Sequence, residues 1–335
     1  MRLGWGLKVS CLAIVLSDPI RAAAQDVVPA ARNGFQMALD TRRGTVVVFG
    51  GSDSTWTRLG DTWAWDRASG WRRLPASGPA PRIDAHMAYD AARDRMVLYG
   101  GVSDTGMLGD TWEFDGAAWT LRHVSGPPAL ARGAMTYDPL RRRTVLFGGR
   151  LEGNAAFGET WEWDGTAWER AAVDGPPPLG AHAMAYDAGR GRVVVFGGSD
   201  GTTHGDLWEW DGTTWRAVKA SGGPPRLHTA MAYDTDRQRL LIFGGFGDER
   251  EGDTWAFDAN GWTRLDAEGP PARAEHEGVY MPELGFVIFG GIGGQGMRTS
   301  DRSKLMTSGC STALGSLGRA TSCPEQSGGT NAQRG

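Results

Sequence analysis

The stretch MAYDAGRGRVVVFGGSDGTTHGDLWEWDGTTW, from Met184 to Trp215, decides the fold of this chain. It contains an apolar run, a glycine pair, an aromatic segment after Gly-Asp and a second tryptophan. The same order of features recurs along most of the sequence, so the stretch is one unit of a repeat.

The period of the repeat can be read from the residue that ends the first apolar segment. This residue is Asp40, Asp90, Asp138, Asp187 and Asp234, with Met281 in the sixth position. A glycine pair follows in the same phase and begins at Gly50, Gly100, Gly148, Gly197, Gly244 and Gly290. A fixed period near 50 residues predicts a repeat architecture and has to be interpreted before any single motif.

Each repeat predicts four short strands. The Met-Ala-Tyr-Asp segment at Met184–Asp187 is the first, and the apolar run at Val193–Phe196 has the length of a buried second strand. The third is the alternating segment at Thr160–Trp163, which places two aromatic side chains on one face, in the core. Asp-Gly then makes a tight turn into a fourth strand that holds the second tryptophan.

Four antiparallel strands per repeat, with aromatics at a fixed phase, are typical of a propeller blade. The glycine pair after an apolar strand and the spaced aromatics resemble the kelch-repeat β-propeller family, of the galactose oxidase and kelch type. The resemblance covers roughly residues 34–301 and implies an all-β, kelch-type β-propeller of six repeats, with the propeller domain at residues 34–305. The sixth is incomplete, because Arg302–Leu305 stands where Thr-Trp-Glu-Trp is expected.

The segments outside the repeats have different compositions. Residues 1–24 combine basic residues, a short apolar core and a small-residue motif before Gln25, which predicts a signal peptide and a secreted or periplasmic protein. Residues 25–33 form a polar lead-in. Residues 306–335 are rich in Ser, Thr and Gly and predict a disordered tail. In this tail Cys310 and Cys323 are either paired or free.

Composition limits the functional classes. The net charge of −4 argues against a nucleic-acid binder, and no apolar run is long enough to span a membrane. No cysteine lies inside the repeats, which excludes a thiolate metal site and the cysteine–tyrosine radical site of galactose oxidase there. We therefore expect no metal, no cofactor and a monomer.

Arginines recur at the segments that lead into the first strands. Four of them share one phase, eight residues before the aspartate position, and a fifth lies two residues later in its repeat: Arg32, Arg82, Arg226 and Arg273, then Arg132. The kelch resemblance implies that this end binds the ligand, with the arginines as a rim that clamps acidic groups. The alternative is that the arginines brace neighbouring loops through backbone carbonyls.

Other candidate ligand-binding residues lie at the same end. Glu275, His276 and Glu277 form the densest acid–base cluster of the chain, suited to proton transfer in a pocket or to a solvated loop. Trp56 lies in a loop of this end and is a candidate for carbohydrate stacking. No arrangement of catalytic residues is evident.

The sequence leaves three functions open. The leading one is an exported binding protein that recognises a protein, a peptide or an acidic glycan on one face of the propeller. The second is a carbohydrate enzyme resembling the kelch-type sialic acid epimerases (mutarotases), suggested by export, arginines and acidic residues. The third is a truncated propeller without function, suggested by the broken sixth repeat.

Overall fold

A computed structural model describes residues 28–74, 77–171, 175–219, 223–265 and 269–293. The predicted signal peptide, residues 25–27 of the lead-in, the expected end of the propeller at 294–305 and the tail with Cys310 and Cys323 lie outside the described residues. No helix in the described part of the chain has the length and apolar character needed to cross a membrane.

The described residues contain twenty-four strands and one 3-10 turn at Glu152–Asn154. The first three blades are β1 (Gln36–Asp40), β2 (Thr45–Phe49), β3 (Thr62–Asp66), β4 (Gly70–Leu74); β5 (His86–Asp90), β6 (Arg95–Ser103), β7 (Gly106–Phe114), β8 (Trp119–Arg122); β9 (Ala134–Asp138), β10 (Arg143–Arg150), β11 (Ala156–Trp163), β12 (Trp168–Ala171). The last three blades are β13 (Ala183–Asp187), β14 (Arg192–Phe196), β15 (Leu207–Trp210), β16 (Trp215–Val218); β17 (Ala230–Asp234), β18 (Arg239–Phe246), β19 (Arg250–Asp258), β20 (Gly261–Leu265); β21 (Arg273–Ala274), β22 (Glu277–Met281), β23 (Gly285–Phe289), β24 (Ile292–Gly293).

The strands form a closed ring of blades. Five blades are four-stranded antiparallel sheets in sequence order, and the sixth pairs β22 with β23 and the short β21 with β24. The first strands contact one another around a circle, in which β1 touches both β5 and β22. The predicted all-β kelch propeller is confirmed, and within the described residues the sixth blade has only its two inner long strands.

The glycine pair makes the junction between blades. Gly197 and Gly198 have φ values of 69° and 90°, in the left-handed region that favours glycine. The N–H of Gly198 donates to the carbonyl of Arg226 in the next blade at 2.7 Å, and a Cβ on Gly197 would lie 2.4 Å from that carbonyl oxygen. Gly291 donates in the same way to Arg32 at 2.9 Å, which joins the sixth blade to the first.

The second aromatic residue of each third strand is the deepest part of the core. Trp65, Trp163 and Trp210 are fully buried, and Trp163 bonds through its indole N–H to Glu113 of the preceding blade at 3.0 Å. Trp161 is only part-buried, and its indole N–H donates to Glu159 at 3.0 Å. The expectation that both aromatics are equally core is therefore corrected.

The tryptophan of the fourth strand ties neighbouring blades together. Trp215 donates to the hydroxyl of Thr160, the first residue of the previous blade's Thr-Trp-Glu-Trp segment, at 2.9 Å. Two other junctions make the same bond, Trp119 to Thr62 and Trp168 to Thr111. Trp262 faces a blade with Leu207 at that position, and its buried N–H has no acceptor among the described residues.

The aspartate that marks the period caps the turn after the first strand, as its repetition predicts. Asp90 accepts the backbone N–H groups of Ala92 and Arg93, each at 3.0 Å, and the Arg93 guanidinium at 2.7 Å. Equivalent bonds at Asp40, Asp138, Asp187 and Asp234 make this a structural device of the fold.

We predict that Trp215→Phe costs more stability than Trp262→Phe. The first change leaves the buried Thr160 hydroxyl without its donor and should lower the free energy of unfolding by about 1–3 kcal/mol more than the second. The second removes an N–H that has no acceptor. Urea unfolding of both variants measures the difference, and equal losses would show that the inter-blade hydrogen bond contributes nothing.

Candidate functional site

The loops between second and third strands and the segments leading into the first strands lie together at one end of the propeller, here called the loop face. The loops are residues 52–59, 102–108, 150–157, 199–204 and 246–251. The opposite end, with the aspartate-capped turns, is called the turn face. The predicted site residues all belong to the loop face.

Six residues in equivalent positions surround the mouth of the central channel on the loop face and are called the mouth ring. They are Gly34, Asp84, Arg132, Ala181, His228 and Glu275. All six have positive φ values, from 54° to 60°, although five of them are not glycine. Such backbone conformations persist only where surrounding structure enforces them.

Backbone hydrogen bonds between blades enforce this conformation. Asp84 donates its N–H to the carbonyl of Gly34 at 2.8 Å, and Arg132 donates to Asp84 at 3.0 Å. The series continues with Ala181 to Arg132 at 2.6 Å, His228 to Ala181 at 2.8 Å and Glu275 to His228 at 3.3 Å. The backbone of the ring is thus repeated, whereas its six side chains all differ.

An ion pair joins two residues of the mouth ring. The Arg132 guanidinium donates to a carboxylate oxygen of Asp84 at 2.8 Å. The Asp84 charge raises the pKa of Arg132, with a further contribution from Glu275. Arg132 therefore links the second and third blades at the mouth, and part of its charge is already neutralised.

The rim arginines Arg32 and Arg82 are buried inside their own blades. Arg82 is 1% exposed, bonds to the carbonyl of Gly100 at 2.9 Å and holds both oxygens of Asp110 at 2.7 and 2.9 Å. Arg32 holds Asp61 in the same two-pronged way at 2.8 and 3.1 Å. These pairs lower the pKa of Asp61 and Asp110 against the opposing effect of burial.

Arg226 and Arg273 are buried as well. Arg226 donates to Asp253 at 3.2 Å, and Arg273 donates to the carbonyls of Pro271 and Gly290 at 3.1 and 3.0 Å. Burial lowers the pKa of Arg273. The expected rim of exposed arginines is therefore corrected: these four side chains are used inside the blades, in the bracing role given as the alternative.

The loops of the loop face contain more acidic than basic side chains, and one of these acids, Glu251, lies 3.7 Å from the buried Arg226. The five loops contain seven carboxylates and three arginines: Asp53, Asp104, Glu152, Asp200, Asp248, Glu249 and Glu251, with Arg58, Arg150 and Arg250. The aspartates at 27–29 residues after Arg32, Arg82 and Arg226 were the sequence signal for the buried pairs. The sequence alone does not show that these pairs form, so it predicts a basic rim at an end whose loops are rich in acids.

The histidines of this end are wedged between blades. His276 is 3% exposed, and its Nε2 lies 3.0 Å from the carbonyl oxygen of Phe243 in the fifth blade. Burial lowers its pKa to about 3, so it stays neutral at physiological pH. His86 accepts the Gly133 N–H at Nε2, which leaves its Nδ1–H to donate to Tyr99. The expectation that His276 transfers protons in an open pocket is corrected by this burial.

Glu277 is a part-buried acid of the sixth blade. It begins the innermost strand of the sixth blade, and among the described residues it has no hydrogen-bond or ion-pair partner. Its side chain is part-buried, and the poor solvation of its carboxylate raises its pKa to about 8. Glu277 occupies the position that His86 has in the second blade, at the start of the first strand of its own blade.

Trp56 is the aromatic residue that the loop face exposes most. Its side chain is 45% exposed and its φ is 63°. Asp53 holds the loop by accepting the N–H groups of Thr55 and Thr57 at 2.8 and 3.0 Å. The adjacent Arg58 pairs with Asp104 in the second blade. The loop is thus fixed with its indole in solvent.

No metal site is evident among the residues that the structure describes. Their His, Cys, Asp and Glu side chains form no group of three or more that could hold a metal ion.

The chain matches the model of a known protein family. The model of the KLHDC2/KLHL20/DRC7 Kelch-repeats domain matches residues 20–162 and 140–310. These matches cover most of the sequence, and the chain belongs to this kelch-repeat family. Kelch propellers generally bind proteins, which makes this fold a protein-interaction scaffold. A search of curated proteins finds no match.

We predict that Glu277→Gln flattens the pH dependence of stability. The unfolded chain loses the Glu277 proton near the ordinary pKa of 4.5, whereas the folded chain keeps it up to about 8. The folded state binds more protons in this window, so Glu277 makes stability fall as pH rises. Thermal unfolding across this window should show a gain for Glu277→Gln that grows with pH.

Glu283→Gln is the matched control, because Glu283 is an exposed acid on the turn face, 3.7 Å from Arg67. It should leave the pH dependence unchanged. Identical pH profiles for Glu277→Gln and the wild type would mean that Glu277 is solvated like an ordinary surface acid.

Proposed function

We propose that this protein is an exported kelch scaffold whose loop face binds a segment of a protein or peptide. The family supports protein binding, and the described strands supply a rigid ring that holds all five loops on one side. Loops on a rigid scaffold are the usual position of binding residues. The observation that supports this face is the exposed Trp56, which lies in a loop held by hydrogen bonds.

The geometry of Trp56 suits a binding anchor. Tryptophan is among the residues enriched at energetically dominant interface positions, because it buries a large apolar area with few rotatable bonds. The bonds from Asp53 to Thr55 and Thr57 fix the loop before any partner arrives, which lowers the entropy lost on binding. The Arg58–Asp104 pair extends the fixed surface from the first blade to the second.

Export is part of the proposal and rests on residues 1–24. Their basic start, short apolar core and Ala22–Ala24 motif support cleavage before Gln25. The corresponding measurement is the N-terminal residue of the protein recovered from its native compartment. Met1 at that terminus would remove export from the proposal and leave the loop-face binding untouched.

The same exposed indole also suits the apolar face of a sugar ring, so a glycan is the second candidate. A glycan would need hydrogen-bonding partners around Trp56, and Asp53, Thr55 and Thr57 are engaged with one another. This engagement favours an apolar peptide side chain as the group that covers Trp56.

The test is a peptide-display selection on the full chain, followed by affinity measurements on two variants. Trp56→Ala should weaken the selected peptides by about 2 kcal/mol or more, roughly thirtyfold in Kd. Leu140→Ala is the control, because Leu140 is an apolar residue on the turn face that is 74% exposed. It should leave the affinity unchanged.

Three outcomes would contradict the proposal. Peptides that depend on Leu140 and not on Trp56 would move the binding surface to the turn face. Equal affinity for both variants would exclude both apolar residues as anchors. A selection that yields no peptide, while a glycan array yields a Trp56-dependent ligand, would replace the peptide by a sugar.

A further inference from the structure

We propose that a groove at the outer edge of the first blade binds an acidic side chain of the partner segment, with the guanidinium groups of Arg73 and Arg58 as its donors. The inference rests on the proposed binding at the loop face and names the chemistry of the segment next to Trp56. The arginines that share one sequence phase do not contribute to it, because they are buried inside the blades.

The groove lies at the loop-face end of the first blade, where strand β3 begins and strand β4 ends. Arg58 and Asp61 form one wall, and Arg73 and Leu74 form the other. Its volume is about 660 Å³, which is enough for several side chains of a bound segment. Strand β4 is the last strand in its sheet, whereas β1 faces the neighbouring blades around the ring, so the groove lies away from the central channel.

Arg73 is exposed and forms no hydrogen bond or ion pair with any residue that the structure describes. The third and fifth blades also hold an arginine at this register position, opposite the first tryptophan of the third strand. There the guanidinium has a carboxylate beside it. Arg170 lies 2.7 Å from Glu159, and Arg264 lies 3.7 Å from Asp253. Arg73 therefore keeps a charge that its equivalents share with an acid.

The acid that corresponds to Glu159 in the first blade is Asp61, and both of its oxygens are engaged elsewhere. They accept the Arg32 guanidinium at 2.8 and 3.1 Å, and one of them also accepts the Trp63 indole N–H at 2.6 Å. Arg32 thus balances the charge of Asp61 inside the blade, and the pair leaves the charge of Arg73 uncompensated.

Arg58 supplies the second guanidinium group. Its Nη1 pairs with Asp104 of the second blade, whose side chain is 77% exposed, so water competes for this pair. The Nε of Arg58 is covered by protein atoms and has no acceptor among the described residues. Nη1 is the one nitrogen of this guanidinium that donates to a described residue, so Nη2 remains for an entering carboxylate.

The charges that line the groove, together with their partners, leave one positive charge in excess. Arg32 is balanced by Asp61 and Arg58 by Asp104, so the excess charge is that of Arg73. No described acid of the other four loops lines the groove. A carboxylate neutralises the excess charge, and the planar guanidinium groups match its two oxygens.

The groove is close to the proposed anchor. Trp56 lies two residues before Arg58, so their Cα atoms are at most about 7 Å apart. A segment that covers the indole with an apolar side chain can therefore place a neighbouring acid in the groove. The partner segment is thus expected to combine an apolar residue with an aspartate or glutamate next to it.

The experiment measures binding of a labelled peptide of Leu-Glu-Gly repeats to the full chain by fluorescence anisotropy at low ionic strength. Peptides of Leu-Gln-Gly and Leu-Lys-Gly repeats, which change the charge of the middle residue, are the comparisons. The acidic peptide should bind more tightly than both. Its advantage should shrink as salt is added, because the groove is open to solvent.

Arg73→Gln should weaken the acidic peptide by roughly fivefold, as expected for an exposed charge pair, and leave the Leu-Gln-Gly peptide within about twofold. Arg264→Gln, the same change at the equivalent position of the fifth blade, is the control and should stay within about twofold of the wild type for both peptides. Both arginines are exposed, so neither change should unfold the protein. Equal effects of the two changes would overturn the assignment.

A second readout uses the unmodified protein. Phenylglyoxal modifies arginine side chains that are open to solvent, and mass spectrometry identifies the modified residues. We expect the acidic peptide to protect Arg73 and to leave the modification of Arg264 unchanged. Protection of arginines in other blades, with Arg73 still reactive, would place the peptide elsewhere and overturn the proposal.

The failure of this inference can be told from the failure of the proposed function. Selected peptides that depend on Trp56 but bind Arg73→Gln as tightly as the wild type would remove the groove and keep the scaffold. Arg73-dependent binding of the Leu-Glu-Gly peptide, together with selected peptides that ignore Trp56, would keep the groove and remove the anchor. An oligosaccharide of glucuronate that binds through Arg73, while the acidic peptide does not bind, would replace the peptide by an acidic glycan.

Discussion

The structure depends on the close approach of six backbones around one axis. At each junction the chain has to bring a carbonyl of one blade against the glycine pair of the blade before it, as Arg226 meets Gly197 and Gly198. Only a residue without a Cβ leaves room for that carbonyl. Once this contact is made, the segments leading into the first strands are fixed, and the mouth ring forms from their next residues.

Because of this constraint, the backbone at the loop face is the same from blade to blade, whereas the side chains there differ. The backbone of the mouth ring has the same conformation at Gly34, Asp84, Arg132, Ala181 and His228, and again at Glu275. Its side chains are free to differ because their backbone bonds, not their side chains, hold the ring. The chemistry of the mouth is therefore set by individual residues on a fixed frame, which is how one fold supports different ligands.

The sequence predicts the fold because the strands and turns of the blades recur at a fixed spacing. Spacing of aspartates, glycine pairs and tryptophans identified the blades and the capped turns. A period gives the phase of a residue but not its partner, and this is why Arg82 was expected at an exposed rim. Its partner Asp110 was visible at a constant separation, and only the three-dimensional structure shows that the two meet inside the blade. The predicted core position of Trp161 and the predicted open pocket around His276 were wrong for a related reason. The burial of each side chain depends on the neighbouring blade, which the period does not describe.

The central claim is that the ring is closed at the junction of the two-stranded sixth blade with the first. The most direct measurement is native-state hydrogen exchange of the Gly291 amide, which donates to the Arg32 carbonyl across that junction. A closed ring predicts that Gly291 is protected as strongly as Gly51 and Gly198, the equivalent amides of complete blades. Exchange of Gly291 at the rate of an unbonded surface loop, with Gly51 and Gly198 still protected, would show an open ring and contradict the account.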